Sequence, residues 1–163
     1  MTDPASRTHR NAIGFLAIAA FFQIMGGLMG WITASSVDGW YQTVAKSPLN
    51  PPDAVFGIVW SVLYVLLSVA FWLIWKKEPS RQRTTALSLF AGHMILNWLW
   101  TPVFFILHLL FISYALVLVL IFTGAMAAWL AFREDKRTII AFISYLLWLC
   151  FAGHLSQYVW IAN

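Results

Sequence analysis

Long apolar stretches alternate with short polar segments along the whole chain. Five of these stretches reach the length of about 20 residues that a helix needs to cross a bilayer, and none of the five contains Asp, Glu, Lys or Arg. They cover residues 12–34, 54–75, 85–107, 109–132 and 139–161. The pattern predicts an all-α, polytopic membrane protein whose single domain, residues 1–163, is a bundle of five transmembrane helices.

The composition agrees with a membrane location, since 61% of the 163 residues are hydrophobic and 10% are charged. Soluble domains are about half apolar and about a quarter charged. Nine of the ten basic residues lie in the N-terminal tail and in the segments 76–83 and 133–137, whereas the segment 35–53 has only Lys46. By the positive-inside rule, the N-terminus is predicted in the cytoplasm and the C-terminus outside.

The formal net charge of +4 does not indicate nucleic-acid binding. The basic residues form short clusters next to the apolar stretches, without interleaved aromatic residues, and such clusters suit anionic lipid head groups. Arg7 and Arg10 precede the first stretch as in a signal peptide, but that stretch is longer than the usual signal core, so it is predicted to remain as the first helix. Cys150 is the sole cysteine, which excludes an intrachain disulfide, and it is predicted to be a small core residue.

The connections between the apolar stretches are short, except for the first one. Short links force neighbouring helices to run antiparallel in one compact bundle. The long first connection, residues 35–53, carries the amphipathic pair Trp40-Tyr41 and the rigid prolines Pro48, Pro51 and Pro52. Long connections in compact domains are usually functional. This one is interpreted either as a lid over one end of the bundle or as an anchor at the membrane interface.

Aromatic and polar residues recur on single faces of three predicted helices. An aromatic belt accounts for the tryptophans near span ends, but not for those further inside the helices. The repeats at helical spacing are Phe56, Trp60 and Tyr64; His93, Asn97 and Trp100; and Tyr145, Trp148, Ala152 and Ser156. Such stripes commonly pack against other helices. Because these stripes include polar groups, they also fit an apolar cavity for a flat, amphipathic ligand.

Asn97 and His93 need hydrogen-bonding partners inside the bundle. The partners are either groups on neighbouring helices or a bound ligand. Pro102 lies one turn further on and is expected to widen that end of the bundle. His154 lies on another face of its helix and is predicted to bond a neighbouring helix, and Gly26-x-x-x-Gly30 is expected to permit a close helix contact.

Enzyme chemistry has little support in the sequence, and no catalytic residue is predicted. No carboxylate lies in an apolar stretch, so neither a paired-acid site nor a Ser-His-Asp arrangement forms at membrane depth. The four histidines and one cysteine show no metal-ligand spacing, so no metal site is predicted.

The chain from about Gly39 to Asn163 resembles the translocator protein (TspO) family, also called tryptophan-rich sensory proteins. That family's motif W-Y-x-x-L-x-K-P-x-W-x-P-P, followed by V-F-x-x-V-W-x-x-L-Y, is matched in large part before and within the second apolar stretch. The motif N-x-x-W-x-P-x-F-F is matched in the third stretch and F-A-x-x-L in the fifth. The matching positions include Trp40-Tyr41, Lys46, Pro51-Pro52, Trp60, Tyr64, Asn97, Trp100, Pro102, Phe104-Phe105, Tyr145, Trp148, Phe151-Ala152, Trp160 and Asn163.

This resemblance implies a homodimeric five-helix bundle that binds porphyrins such as protoporphyrin IX and haem as ligands, with no required cofactor. The implied cavity is roofed by the first loop and lined by the second, third and fifth helices. The binding positions carried over from the family are Trp40, Tyr41, Pro51, Trp60, His93, Asn97, Trp100, Trp148 and Ala152. The implied function is porphyrin sensing or transport. The alternatives are a light-dependent degradation of porphyrin and a structural or regulatory membrane subunit.

Four departures from the family pattern are informative. His93 stands where the family usually has Gln, Leu49 where it has Trp, Ser144 where it has Pro and Ser156 where it has Asn. An imidazole at 93 is interpreted as a hydrogen-bonding group between helices, with ligation of haem iron as the less favoured alternative. Gln157 and Ile161 replace the Tyr and Arg of the eukaryotic sterol motif. Sterol binding is therefore not implied, and the resemblance favours a location in a bacterial cell membrane.

Overall fold

The computed structural model describes the backbone of residues 4–163 and the side chains of residues 11–163. The described chain is entirely helical, without strands, and has six helices. They are α1 (Pro4–Val37), α2 (Trp40–Thr43), α3 (Asp53–Trp75), α4 (Arg81–Phe105), α5 (Leu110–Glu134) and α6 (Thr138–Ala162). The all-α prediction is therefore confirmed for this part of the chain.

Four of the helices are long and apolar enough to cross a membrane: α1, α3, α5 and α6. The fifth long helix, α4, has 25 residues and covers most of the third predicted span, but it is less apolar and does not belong to this set. Its first turns are polar, and its interior holds His93 and Asn97. The structure thus supports four candidate spans together with one further long helix.

Local sequence signals mark several helix ends. The hydroxyl of Ser80 accepts a hydrogen bond from the backbone N–H of Arg83 at 3.0 Å, which satisfies one of the free donors at the start of α4. Pro51 and Pro52 fix an extended backbone just before α3. α4 continues through Pro102 and ends three residues later, and the tight link to α5 places His108 at a φ of 53°.

The long helices pack in an antiparallel order that follows the short links. α1 packs against α3 and α4, α5 packs against α4 and α6, and α3 also contacts α6. The main core lies between these helices and includes Leu67, Ile74, Phe90, Phe142 and Tyr145, which are almost fully buried. Large apolar residues such as Ile58, Phe122 and Leu147 point outward, as expected where lipid tails cover the surface.

Two predictions from the sequence are wrong in detail. Cys150 is exposed on α6 and does not belong to the core. An outward position is inexpensive for a small apolar residue, because lipid is as apolar as the core. His154 is also exposed, and its Nε2 lies 3.3 Å from the Ser47 hydroxyl, so its partner is the first loop and not a neighbouring helix.

A candidate ligand cavity beneath the first loop

A cavity of about 570 Å³ lies inside the bundle at the end covered by the first loop. Residues of α1, α3, α4, α5 and α6 form its walls, and Tyr41 of α2 and the neighbouring Asp38 also line it. Its volume falls within the range of roughly 300–1,000 Å³ that is usual for small-molecule sites. The dimensions suit a single organic ligand.

Aromatic rings form the walls contributed by α3 and α4. Trp60 and Tyr64 are stacked with their ring centroids 5.5 Å apart, and Trp100 and Phe104 are stacked at 5.0 Å. Phe56 adds a further ring to the α3 wall. The Trp100 indole is held in place by its Nε1–H, which donates to the Ser113 carbonyl at 3.1 Å. These walls offer extended apolar surface to a flat ligand.

The wall formed by α1 includes several small residues. Gly26, Gly27, Gly30 and Ala34 line the cavity. A Cβ atom added at Gly27 or at Gly30 would have no atom within 4 Å, whereas one at Gly26 would lie 2.5 Å from the Tyr64 ring. The expected close contact therefore exists at Gly26 only, and the other two glycines leave open space.

A chain of hydrogen bonds forms the floor of the cavity. The Tyr64 hydroxyl donates to Asn97 Oδ1 at 3.3 Å, and Asn97 Nδ2 donates to the Tyr145 hydroxyl at 3.0 Å. The Tyr145 hydroxyl lies 2.6 Å from His93 Nε2. Tyr64 and Asn97 face the cavity, while Tyr145 and His93 lie behind them. The floor is polar, yet its members already bond one another.

The directions of these bonds determine the tautomer of His93. The Thr123 hydroxyl donates to the Val119 carbonyl at 2.8 Å, so it accepts from His93 Nδ1 across the 2.8 Å between them. The imidazole is then protonated on Nδ1 and accepts the Tyr145 proton on Nε2. His93 is 1% exposed, and both ring nitrogens are engaged with α5 and α6. It thus bonds neighbouring helices, as the favoured interpretation of the sequence held.

The first loop is attached to the bundle at several points. Trp40 stacks on His108, with ring centroids 3.8 Å apart, and the Ser36 hydroxyl donates to the Phe105 carbonyl at 2.8 Å. Asn163 accepts from the Ala45 N–H at 3.0 Å and donates to the Ala45 carbonyl at 3.2 Å. Such anchoring fits the interpretation of this loop as a lid.

Tyr41 is the loop residue that reaches furthest into the site. It is buried, lines the cavity and donates its hydroxyl proton to Asn50 Oδ1 at 3.1 Å. Burial raises the pKa of the Tyr41 hydroxyl above its ordinary value, and the nearby Asp53 carboxylate raises it further. The phenol therefore stays neutral at physiological pH. Asp38 and Asp53 also line the cavity.

Comparison with known proteins places this arrangement in a family. The model of the TspO/MBR family matches residues 16–161. A translocator protein of Bos taurus is 32% identical over 154 residues, which cover 89% of each chain. A tryptophan-rich sensory protein of Cereibacter sphaeroides is 35% identical over 119 residues, 73% of each chain. The chain belongs to the TspO/MBR family.

The cavity accounts for five of the nine binding residues predicted from the TspO/MBR resemblance. Tyr41, Trp60, Asn97, Trp100 and Ala152 line it. The remaining four residues do not contribute to its wall, and each has another neighbour or position. Trp40 stacks on His108, His93 lies behind the floor, Trp148 packs against Phe56, and Pro51 precedes α3.

The α1 wall is the part of the site that sequence reasoning missed. The resemblance assigned no binding residue to the first helix, yet Gln23, Gly26, Gly30 and Thr33 of α1 line the cavity. The Gly26-x-x-x-Gly30 pair was the available signal. It was interpreted as a helix contact alone, because a missing side chain indicates close packing and open space equally well.

Proposed function

We propose that this TspO/MBR protein binds a tetrapyrrole, protoporphyrin IX or haem, in the cavity beneath the first loop and acts in porphyrin sensing or transport. The observation that carries the proposal is the 570 Å³ cavity with aromatic walls of Trp60, Trp100 and Phe104 and few polar groups. A large planar macrocycle gains most from such surfaces, because ring stacking adds to the burial of its apolar faces.

The test is a titration of the purified protein with protoporphyrin IX, followed by porphyrin absorbance and tryptophan quenching. Trp60→Ala is expected to weaken binding at least tenfold, about 1.4 kcal/mol. The control is Trp129→Ala, since Trp129 is 59% exposed on α5 and lies away from the cavity. Equal affinities in the two variants would contradict the assignment of the cavity, and no binding by the parent protein would contradict the proposed function.

Trp148 is one of the binding positions implied by the family resemblance, but it does not line the cavity. The Trp148 ring packs 5.7 Å from Phe56, whose ring lies in the wall. Trp148→Ala therefore acts through Phe56 and is expected to weaken binding less than Trp60→Ala, by about threefold. The same titration measures it.

Light-dependent degradation of porphyrin is the second candidate function, because two indoles, Trp60 and Trp100, line the cavity where a bound porphyrin would lie. Illumination of the complex, with separation of the products, distinguishes it from sensing or transport. A new product whose formation is lost in Trp60→Phe would support degradation. Unchanged porphyrin after illumination would exclude degradation as the function. A purely structural or regulatory subunit would bind no porphyrin at all.

The membrane arrangement that we propose has five transmembrane helices, with α4 as the third. α4 has a span's length, and its two most polar inner residues, His93 and Asn97, are buried and bonded to other helices. Reporter fusions after Asn163 are expected to show the outer side, and fusions within 76–83 the cytoplasm of a bacterial cell. The reverse pattern would contradict this orientation.

A homodimer is the proposed assembly, by analogy with the family. The outward apolar faces of the long helices provide surface for a second copy. Chemical crosslinking in membranes and molecular mass in detergent test it, and a monomer at all concentrations would contradict it. Sterol is not a proposed ligand.

A further inference from the structure

Ser156 has a hydroxyl group that no other part of the described chain uses. The residue is 3% exposed, lies on α6 and lines the cavity. Its Oγ is buried and has no hydrogen-bond partner among the described residues. A buried polar group without a partner destabilises the fold, so its presence needs an explanation.

Other serines in the long helices behave differently. Ser61, Ser113 and Ser144 each donate to the carbonyl four residues earlier in the same helix, at distances of 2.8–3.0 Å. This is the usual way for a serine inside a helix to satisfy its hydroxyl. Ser156 does not bond a carbonyl of its own helix, so its hydroxyl has no partner among the described residues, although the residue lines the cavity.

The part of the cavity wall that α6 forms is otherwise apolar. Besides Ser156, it consists of Leu149, Ala152, Leu155 and Val159. The floor residue Asn97 already bonds Tyr64 and Tyr145. In largely apolar cavities, a few polar groups such as a hydroxyl usually fix the orientation of the ligand.

We propose that Ser156 is a specificity-determining residue, which donates a hydrogen bond to an acceptor oxygen on the edge of the cavity ligand. The acceptor is a carbonyl-type oxygen, either an ionised carboxylate or a neutral ester. The inference rests on the proposed tetrapyrrole binding and adds to it the group on the ligand that is recognised.

The test compares three porphyrins of similar shape with three forms of the full chain. Protoporphyrin IX carries carboxylates, its dimethyl ester carries neutral carbonyls, and etioporphyrin carries alkyl groups alone. The forms are the parent, Ser156→Ala and the matched control Ser144→Ala, which removes a hydroxyl from the same helix but away from the cavity. Ser156→Ala is expected to weaken the binding of protoporphyrin IX roughly fivefold, the effect of one hydrogen bond, and to leave etioporphyrin unaffected.

The ester distinguishes the two kinds of acceptor. Weaker binding of both protoporphyrin IX and its ester by Ser156→Ala would identify a carbonyl oxygen in general, and weaker binding of the free acid alone would identify the carboxylate. Ser144→Ala is expected to match the parent with all three porphyrins.

Thermal unfolding without ligand separates ligand recognition from a structural role. Removal of an unpartnered hydroxyl is expected to leave the Tm of Ser156→Ala equal to or above that of the parent, even though binding weakens. Equal porphyrin affinities in Ser156→Ala and the parent, or an equal loss with etioporphyrin, would overturn this inference alone. Failure of the parent to bind any of the three porphyrins would overturn the proposed function and the inference together.

Discussion

The two ends of the bundle are built from the same types of residue, yet one is filled and the other is hollow. In the filled end, which we call the packed half, the rings of Phe90 and Phe142 lie 5.0 Å apart and both residues are fully buried. In the end beneath the first loop, which we call the open half, Trp60, Trp100 and Phe104 surround the cavity. Aromatic content therefore does not decide where a cavity forms.

The side chains of α1 make the difference between the two halves. In the packed half, Phe22 of α1 is 4% exposed and contacts Phe71, Phe90 and Trp98 at centroid distances of 6.1–6.3 Å. In the open half, α1 presents Gly26, Gly27 and Gly30. The volume that side chains would fill is left empty, so the small residues of one helix create the cavity between the aromatic residues of the others.

The largest effect is expected from truncating a ring in the packed half. Phe90→Ala should lower the free energy of unfolding by roughly 3 kcal/mol, because a fully buried ring loses its packing contacts and leaves a void. The matched variant in the open half is Phe56→Ala, where the ring already faces a cavity and a much smaller loss is expected. Unfolding in sodium dodecyl sulfate, followed by circular dichroism, measures both. Equal losses would contradict the distinction between the halves.

Substitutions of the α1 glycines should have effects that differ with position. Gly26→Ala places a methyl group 2.5 Å from the Tyr64 ring, which is itself bonded to Asn97, so a destabilisation of about 1–3 kcal/mol is expected. Gly30→Ala meets no atom and should be neutral or stabilising, because Ala favours helix by about 1 kcal/mol over Gly. Thermal unfolding measures both variants.

A bulky residue at position 30 is expected to affect ligand binding more than stability. Gly30→Leu would place an apolar side chain on the cavity wall at a position where a Cβ atom meets no neighbour within 4 Å. We expect unchanged stability together with at least tenfold weaker binding of protoporphyrin IX. Unchanged affinity in a folded Gly30→Leu variant would mean that the ligand does not occupy the α1 side of the cavity.

His93 marks the boundary between the halves and provides the next smaller effect. His93→Leu leaves the Tyr145 hydroxyl without its acceptor and should cost about 1–2 kcal/mol of stability. Because both ring nitrogens are bonded to protein groups, we expect His93→Gln to leave the Soret band of bound haem unchanged. A shifted Soret band in that variant would instead support the hypothesis that His93 ligates haem iron.

The smallest effect is expected at the far edge of the packed half. There the Asp135 side chain connects the segment between α5 and α6 with the segment between α3 and α4. Its carboxylate lies 2.8 Å from the Arg137 guanidinium and 3.1 Å from Lys77 Nζ. Hydrogen bonds from Arg137 hold the pKa of the Asp135 carboxyl well below its usual range, and Lys77 lowers it further against the effect of burial.

The sign of the resulting pH dependence follows from that lowered pKa. The contribution to stability is complete above the unfolded-state pKa, about 3.9, and is lost as the pH falls below it. Asp135→Asn should lower the Tm slightly at pH 7 and reduce the dependence of Tm on pH between about 5 and 3. A parent and variant with parallel pH profiles would contradict the role of this cluster. The exposed Arg137 makes the effect modest.

The membrane character and the long helices of this protein can be predicted from the amino-acid sequence alone. Uninterrupted apolar stretches predicted every long helix, with ends that differ from the observed ones by a few residues, apart from the longer N-terminal part of α1. Helical spacing also placed Trp60, Asn97 and Trp100 on faces that point inward, and the structure has these three around the cavity. Such periodicity is a local property of the chain, so it can be recognised without coordinates.

Which neighbour covers each inward face depends on the three-dimensional packing of the helices. His93 and Asn97 share one face of α4, yet Asn97 borders the cavity and His93 is enclosed by Thr123 and Tyr145. Trp148 lies behind Phe56, and α1 supplies a wall at the Gly26-x-x-x-Gly30 pair, which the sequence had indicated only as a helix contact. The physical reason is that helical spacing fixes a direction around one axis, whereas a cavity depends on the distances and rotations between several axes. These distances and rotations are set by the packing of side chains that lie far apart in the sequence.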